Sequence, residues 1–260
     1  MPKVNLVIPI GPGAPEQDAP NVEMMIFGFE KIKKQTSSIK LTCAIDRDLP
    51  ENKMDIVKKY ADEIRLFEPY SYFTASGIWG KIYKCWEESD CEYVAWNGYD
   101  DYPGLSRFEH QSQRLEETGA DICICHNYLD TEGEITQVNN GTIDVNATIG
   151  GHTLYMGSFL LRRSFILNSG ISTYREKWAC YFEGLLNAFA LRGKMVSSEG
   201  EFYYRNHRGT ISNTWKQQWF EESFKKTGYS VVKCKEDWES INFSEICNET
   251  RRILNSRSSS

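Results

Sequence analysis

The stretch CEYVAWNGYDDYPGLSR, residues 91–107, decides the fold prediction for this chain. Its first residues, EYVAW, are aromatic and β-branched, which is typical of a buried strand. The run breaks at an Asn-Gly pair, and two adjacent acids, Asp100 and Asp101, follow. Acids on a loop at the end of a rigid strand offer the hard oxygen ligands that Mg²⁺ or Mn²⁺ uses when it carries phosphate. The same residues also suit a plain surface turn, because Asp is favoured there.

On both sides of this stretch, runs of strand type alternate with runs of helix type. This alternation predicts an α/β domain with a mainly parallel sheet flanked by helices. In such sheets, ligands bind at the carboxyl ends of the strands, near a switch in strand order. The predicted strands are Val4–Ile10, Ile39–Ile45, Ile64–Phe67, Asp121–Tyr128 and Gly193–Ser198, and the predicted helices are Val22–Gln35, Asp55–Glu63, Ser76–Glu88 and Phe108–Thr118.

Two of the other predicted strands also end in residues that suit a ligand site. The first runs through Pro9 into a Gly-Pro-Gly loop, whose glycines either let the backbone approach a ligand or simply turn the chain. The second stops at Asp46 and Asp48, which flank an arginine. Taken alone, these acids are also consistent with a polar turn after a strand.

Together, the strand, the acidic turn, the proline and the helix that begins RFEHQ resemble the core of the family 2 type of GT-A glycosyltransferases. In that family a strand ends in an acidic "DXD" motif and runs through a proline into a helix. The resemblance covers about residues 3–213 and implies a single GT-A-like, Rossmann-like nucleotide-sugar domain. The chain departs from the motif at Gly98, where the family has its first acid, so Asp100 and Asp101 are the candidate metal ligands.

On the donor side, the resemblance implies roles for residues at the ends of the early strands. Pro9 and the loop after it would lie against the donor nucleotide, and Asp46 would bind the base or ribose, with Asp48 as the alternative. Lys81, with Lys84 one turn further on, would lie near the diphosphate. Asp100 would contact the donor as well as the metal.

On the acceptor side, the segment YMGSFLLRRS, Tyr155–Ser164, resembles an apolar strand of the family. The helix that runs from Trp178 to Gly193 matches a family helix with a catalytic acid, although the usual Glu-Asp pair is replaced and Glu183 is its remaining carboxylate. Aromatic neighbours would desolvate Glu183 and raise its pKa toward the range of a general base. A solvated helix glutamate is the alternative interpretation.

The segment Phe202–Ser212, FYYRNHRGTIS, resembles the tail of the family's domain. In this interpretation His207 is a third metal ligand or a diphosphate contact. Arg205 or Arg208 would hold phosphate through charge-assisted hydrogen bonds, and Arg208 is the chosen candidate. Upstream, the polar segment Asp130–Gly151 predicts a hairpin or a mobile loop near the site.

Composition excludes several other classes of protein. With 260 residues, a formal net charge of −6 and a pI near 5.4, the chain lacks the basic footprint of a general nucleic-acid binder. Its first residues are too short an apolar run for a signal peptide, and no window suits a membrane span, so a cytoplasmic protein is expected. The eight cysteines include no C-x-x-C pair, and Cys123 and Cys125 are expected to be buried in a strand.

The resulting hypothesis is a metal-dependent glycosyltransferase that moves a sugar from a nucleotide-diphosphate donor, a UDP-sugar, to a hydroxyl acceptor with inversion. The acceptor would be a glycan, a lipid-linked sugar or a protein, and the acidic charge disfavours nucleic acid. The donor side would span about residues 1–128 and the acceptor side about 129–213, followed by a helical extension, 214–260, with a frayed tail. One alternative is an inactive nucleotide-sugar or glycan-binding module; another is a metal-dependent phosphoester hydrolase.

Overall fold

The computed structural model describes residues 3–11, 22–68, 75–139, 156–168 and 193–206. Within these segments, nine strands form one mixed sheet with helices on both sides. The strands are β1 (Val4–Ile10), β2 (Ile39–Asp46), β3 (Glu63–Phe67), β4 (Tyr93–Trp96), β5 (Tyr102–Pro103), β6 (Ile122–Thr131), β7 (Glu134–Asn139), β8 (Leu160–Arg162) and β9 (Met195–Asn206). The helices are α1 (Val22–Lys33), α2 (Glu51–Tyr60), α3 (Ala75–Glu87), α4 (Arg107–Thr118) and α5 (Arg163–Asn168), and Met156–Ser158 form a single 3₁₀ turn.

The strand order β3-β2-β1-β4-β8-β6-β9-β5 contains the predicted switch. β1, β2 and β3 follow one another in one direction across the sheet, whereas β4 lies on the other side of β1. All four strands are parallel, with Val7 of β1 aligned to Thr42 of β2 and to Trp96 of β4. The carboxyl ends of β1, β2 and β4 are therefore neighbours at one edge, where open α/β sheets bind ligands.

The other half of the sheet contains both parallel and antiparallel strand pairs. β8 is antiparallel to both β4 and β6, whereas β9 runs parallel to β6 and antiparallel to the edge strand β5. β6 and β7 form an antiparallel hairpin, which confirms the hairpin option at the start of the predicted polar segment. Within the described segments, half of the strand pairs are therefore antiparallel, and most of the parallel pairs are those around β1.

Two apolar cores lie on opposite faces of the sheet. Alternate side chains of β1 point to opposite sides, so Leu6 and Ile8 join one core and Val7 joins the other. The first core contains Phe29 of α1 together with apolar residues of α2 and α4, and the second contains Trp86 of α3 together with residues of α5. Burial on both faces explains why β1 is an almost continuous apolar run.

Several predicted boundaries differ from the structure, three of them clearly. The second helix begins at Glu51, directly after Pro50 at its N-cap, and ends at Tyr60, so Glu63 belongs to β3. The predicted strand over residues 155–164 is, where described, a 3₁₀ turn, the short β8 and then α5. The strand predicted over residues 193–198 continues to Asn206, because it pairs with β6 along its length. Within the described segments, no helix has the length and apolar character needed to cross a membrane.

Candidate functional site

The acidic turn, residues 97–101, follows β4 directly at the switch in strand order. Asp100 is partly exposed, whereas Asp101 is 7% exposed. A Cβ atom built on Gly98 would lie 2.7 Å from Oδ2 of Asp101 and 2.8 Å from Oδ1 of Asp100. The two carboxylates therefore converge on the space beside Gly98, and a larger residue there would displace them.

Hydrogen bonds and charge define the state of Asp101. Its Oδ1 accepts a hydrogen bond from the backbone N–H of Arg205 on β9, with a donor–acceptor distance of 3.1 Å. Burial, together with the nearby charge of Asp100, raises the pKa of the Asp101 carboxyl well above its usual value, and the backbone hydrogen bonds and the charge of Arg107 act against this shift. A cation bound between Asp100 and Asp101 would oppose this shift, because it would favour the ionised carboxylate of Asp101.

Helix α1 lies directly against the acidic turn at Gly28. A Cβ atom at this position would lie 2.7 Å from the carbonyl oxygen of Tyr99 and 3.3 Å from that of Asp101. A side chain at position 28 would therefore push the helix away from the turn. This contact was not predicted from the sequence, although a glycine inside an amphipathic helix was a usable signal of close packing.

Arg107, the first residue of α4, holds the turn from inside the protein. Its guanidinium is completely buried and donates from Nη1 to Oδ1 of Asn97, 3.1 Å away, and from Nε to Oε1 of Gln111, 3.0 Å away. Nη2 donates to the carbonyl oxygens of Gly157 and Phe159. Burial lowers the pKa of this guanidinium, and the negative charge of Asp101 is among the effects that oppose the shift. No role for Arg107 was predicted from the sequence.

The two donor-side residues predicted from β2 and α3 contact each other. The ammonium group of Lys81 forms an ion pair with Oδ1 of Asp46, and both side chains are buried. Burial lowers the pKa of Lys81, while the charge of Asp46 opposes this shift. Pro9 lies one residue before the end of β1, beside Ala44 of β2, and is partly exposed. Pro9 and Asp46 therefore lie at the same edge of the sheet, and Lys81 of α3 contacts that edge through Asp46.

Other predicted residues are placed differently or lie outside the described residues. Lys84 is about half exposed and pairs with Glu88 across 2.6 Å. The guanidinium of Arg205 lies 3.7 Å from Asp130 and packs over the ring of Phe27. Glu183, His207 and Arg208 lie outside the described residues, although β9 ends only one residue before His207.

An aromatic row that the sequence analysis missed supports β9 beside the turn. Tyr203 stacks on Tyr102 with ring centroids 4.7 Å apart and on Tyr128 with centroids 5.0 Å apart. Phe27 of α1 meets Tyr102 edge to face. The hydroxyl of Tyr102 donates to Asp130 over 2.8 Å, which fixes the start of β5 immediately after Asp101.

The donor set at the acidic turn fits a hydrated divalent cation. In the part of the chain that the structure describes, no cluster of three or more His, Cys, Asp or Glu residues has metal-site geometry. Mg²⁺ is commonly held by one or two carboxylates together with water and substrate phosphates. Asp100 and Asp101 supply such a pair, and the partly exposed Asp100 leaves an approach from solvent.

Comparison with solved structures relates the chain to S. aureus TarS. TarS residues 1–349 in complex with UDP-GlcNAc match 95% of this chain and 72% of their own chain, with a TM-score of 0.61 and 11% identity. The same fragment in complex with UDP matches 99% of this chain and 72% of its own, with a TM-score of 0.56 and 12% identity. A further TarS structure is covered over 43% of its length, with a TM-score of 0.57.

At these identities the likeness establishes the fold alone, which is the predicted GT-A-like α/β fold. No protein-family model matches the sequence, and no curated protein matches it.

Proposed function

We propose that this protein is a glycosyltransferase of the family 2 type that transfers a sugar from a UDP-sugar to a hydroxyl acceptor and requires Mn²⁺ or Mg²⁺. One observation carries the proposal: the carboxylates of Asp100 and Asp101 converge at the end of β4, at the switch point of a GT-A-like sheet. This edge is the expected ligand site of an open α/β sheet. The TarS complexes with UDP-GlcNAc and UDP support a uridine nucleotide as the donor.

In this proposal Asp100 and Asp101 hold the cation, and His207 completes the protein ligands. The bound cation supplies neutralisation of the charge that develops on the leaving diphosphate. The direct support is geometric. One carboxylate oxygen of Asp100 and one of Asp101 lie within 2.8 Å of the point where a Cβ atom on residue 98 would be. The resemblance supports His207 as a metal ligand. His207 lies two residues after Arg205, whose backbone N–H donates a hydrogen bond to Asp101.

The donor nucleotide would lie along the edge formed by β1, β2 and β4. Pro9 would contact the nucleotide, Asp46 the base or ribose, and Lys81 and Arg208 the diphosphate. The buried pair formed by Asp46 and Lys81 separates when both groups bind the donor. A diphosphate carries more negative charge than one carboxylate. This difference supports a change of partner, in which the ammonium group of Lys81 leaves Asp46 and binds the diphosphate.

The acceptor side supplies the base. Glu183 accepts the proton of the acceptor hydroxyl as its oxygen attacks the anomeric carbon, and the bond from that carbon to the nucleotide diphosphate breaks with inversion. The acceptor is a glycan, a lipid-linked sugar or a protein hydroxyl. We assign the donor side to about residues 1–128, the acceptor side to 129–213 and a helical extension to 214–260. A cytoplasmic location is part of the proposal.

A second candidate function is a nucleotide-sugar or glycan-binding module of the same fold without catalysis. Gly98 favours it, because the family's first acid is missing there. The space that this acid would occupy is, however, filled by the carboxylates of Asp100 and Asp101. The glycine is therefore also explained by the packing of the two acids that remain.

The test is calorimetric titration with a panel of nucleotide sugars, with and without Mn²⁺, followed by an assay for released nucleotide diphosphate. Mn²⁺-dependent binding of a UDP-sugar with slow release of UDP into water is the expected result. Binding without release for any donor would favour the binding module. Absence of binding to every member of the panel would overturn both candidate functions.

A further inference from the structure

Arg107 carries a charge into a completely buried position. Its guanidinium contacts neutral oxygens: the side chains of Asn97 and Gln111 and the backbone carbonyls of Gly157 and Phe159. The guanidinium also packs 4.7 Å from the ring centroid of Phe108 and near the ring of Phe202. Within the described segments, no carboxylate lies at ion-pair distance from it.

A buried charge is costly, so its retention calls for an explanation. The planar guanidinium differs from other cations in presenting five donors in a fixed fork. In Arg107 the fork joins three separate parts of the chain: the residue after β4, helix α4 and the segment 157–159. A single side chain therefore fixes their relative positions.

The position of these contacts links the residue to the proposed reaction. Asn97 is the first residue of the acidic turn, directly before Gly98. Gly157 and Phe159 lead into β8, in the part of the chain proposed to serve the acceptor. Arg107 thus connects the turn proposed to hold the metal with the proposed acceptor side.

Arg162 provides a natural comparison within the same molecule. It also donates to backbone carbonyls, those of Ala120 and Leu115, each over 2.7 Å, and packs over the ring of Tyr93. It too connects β8 with α4, but it lies at the start of β4, where Tyr93 pairs with Arg162 in the sheet. The two arginines therefore donate to backbone carbonyls at opposite ends of one strand, but Arg162 also forms an ion pair with Glu92 over 3.2 Å.

We infer that Arg107 is a positioning residue, which sets the orientation of the acidic turn relative to segment 157–159 so that metal, donor and acceptor meet in a reactive arrangement. This inference rests on the proposed function and deepens it. A small displacement of a positioned group is enough to reduce turnover strongly, because the reacting atoms must be aligned.

The experiment compares Arg107→Lys with Arg162→Lys, using UDP-GlcNAc as the probe donor and Mn²⁺ as the probe metal. Both variants keep the positive charge and lose the planar guanidinium with its several donors. Both are therefore expected to lower the midpoint of unfolding in urea. Arg107→Lys is expected to raise the Mn²⁺ concentration for half-maximal UDP release, and to lower kcat, by about tenfold each. Arg162→Lys is expected to keep wild-type kinetics under conditions where it is folded.

Equal kinetics for the two variants and the wild type would overturn the inference and leave the proposed function standing. Failure of the wild type to release UDP or to bind the donor would overturn the proposed function, and the inference with it. If Arg107→Lys does not fold, Asn97→Ser is tested instead. It removes the side-chain oxygen of Asn97 that accepts a hydrogen bond from Arg107 and leaves Arg107 in place. A folded Asn97→Ser variant with unchanged Mn²⁺ dependence would equally contradict the inference.

Discussion

Lys81 of α3 and Asp46 at the end of β2 form an ion pair that is nearly closed to solvent, with side-chain exposures of 4% and 0%. The two residues are both proposed to contact the donor. In the structure they neutralise each other. A buried pair is sensitive to loss of one partner, because the remaining charge is then buried without compensation.

Replacement of Lys81 by Met should destabilise the protein by about 3–5 kcal/mol, since it leaves the carboxylate of Asp46 buried and uncompensated. The change is measured as the free energy of unfolding in urea. Lys84→Met is the matched control on the same helix, because Lys84 pairs with Glu88 at an exposed site where such pairs contribute little. The double variant Asp46→Asn with Lys81→Met should recover part of the loss. Similar effects for the two lysines would contradict this account of the pair.

Asp101→Asn and Asp100→Asn should each abolish Mn²⁺-dependent binding of the donor and release of UDP together. The reason is that each change removes one of two convergent carboxylates. Calorimetry and a UDP-release assay measure the two effects. Asp55→Asn, which changes an exposed acid on α2, serves as the control with unchanged binding. Retention of metal-dependent binding in Asp101→Asn would exclude this carboxylate as a ligand.

Gly98→Ala should weaken Mn²⁺ binding by about 10- to 100-fold, the range found when residues that orient ligands are altered. The added methyl group would meet carboxylate oxygens of Asp101 and Asp100 at 2.7 and 2.8 Å. Gly80→Ala on α3 is the control, because a Cβ there meets no heavy atom within 4 Å apart from its chain neighbours and the backbone of its own helix. If Gly98→Ala binds Mn²⁺ as the wild type does, the carboxylates do not converge as described.

Glu183→Gln should preserve donor binding and remove turnover, because the amide keeps the shape of the side chain but cannot accept the acceptor's proton. Calorimetry with the donor and the UDP-release assay in the presence of an acceptor separate the two properties. A Glu183→Gln variant with normal turnover would rule out this residue as the base. Loss of donor binding in this variant would instead assign Glu183 to the donor site.

The buried thiols should make the protein less stable as the pH becomes alkaline. Burial raises the pKa of Cys125 to about 11 and that of Cys123 to about 12, whereas thiols in an unfolded chain titrate near about 8.5. The folded state therefore holds these protons more tightly, and this contribution is complete below about pH 8.5 and is lost as the pH rises toward 11–12. The urea midpoint should fall over this range.

Labelling with iodoacetamide checks the same thiols directly. At pH 8 both cysteines should remain unmodified in the folded protein and react after unfolding, as detected by mass spectrometry. Their burial as free thiols in β6 also confirms the expectation from sequence. Rapid labelling of either residue in the native protein would contradict their burial.

Much of the early half of the fold was predictable, because its strands are rich in apolar residues and its helices are amphipathic, although the bounds of α2 were not. Val4–Ile10 and the helix that ends before Gly119 needed no long-range information. The order of the later strands was not predictable, because β8 enters between β4 and β6 from far along the chain. The 3-residue β8 carries too little pattern to mark its own bounds.

The site was predictable in part for a related reason. Acids that follow apolar strands, such as Asp46 and Asp101, can be identified locally, since strand ends meet at one edge. Contacts that depend on tertiary packing gave little local signal. Arginine and lysine are seldom fully buried, so the positions of Arg107 and Lys81 followed from the packing and not from the residue type.

The hydrogen bond between the amide of Arg205 and Asp101 gives the acidic turn a spectroscopic reporter. The amide proton points at a carboxylate oxygen 3.1 Å from its nitrogen, so its NMR chemical shift depends on the charge that this oxygen carries. Binding of a cation to Asp101 would withdraw electron density from that oxygen and shift the amide signal. The amide signal of Arg205 in β9 would thus report whether a cation is bound at the acidic turn, without any label in the turn itself.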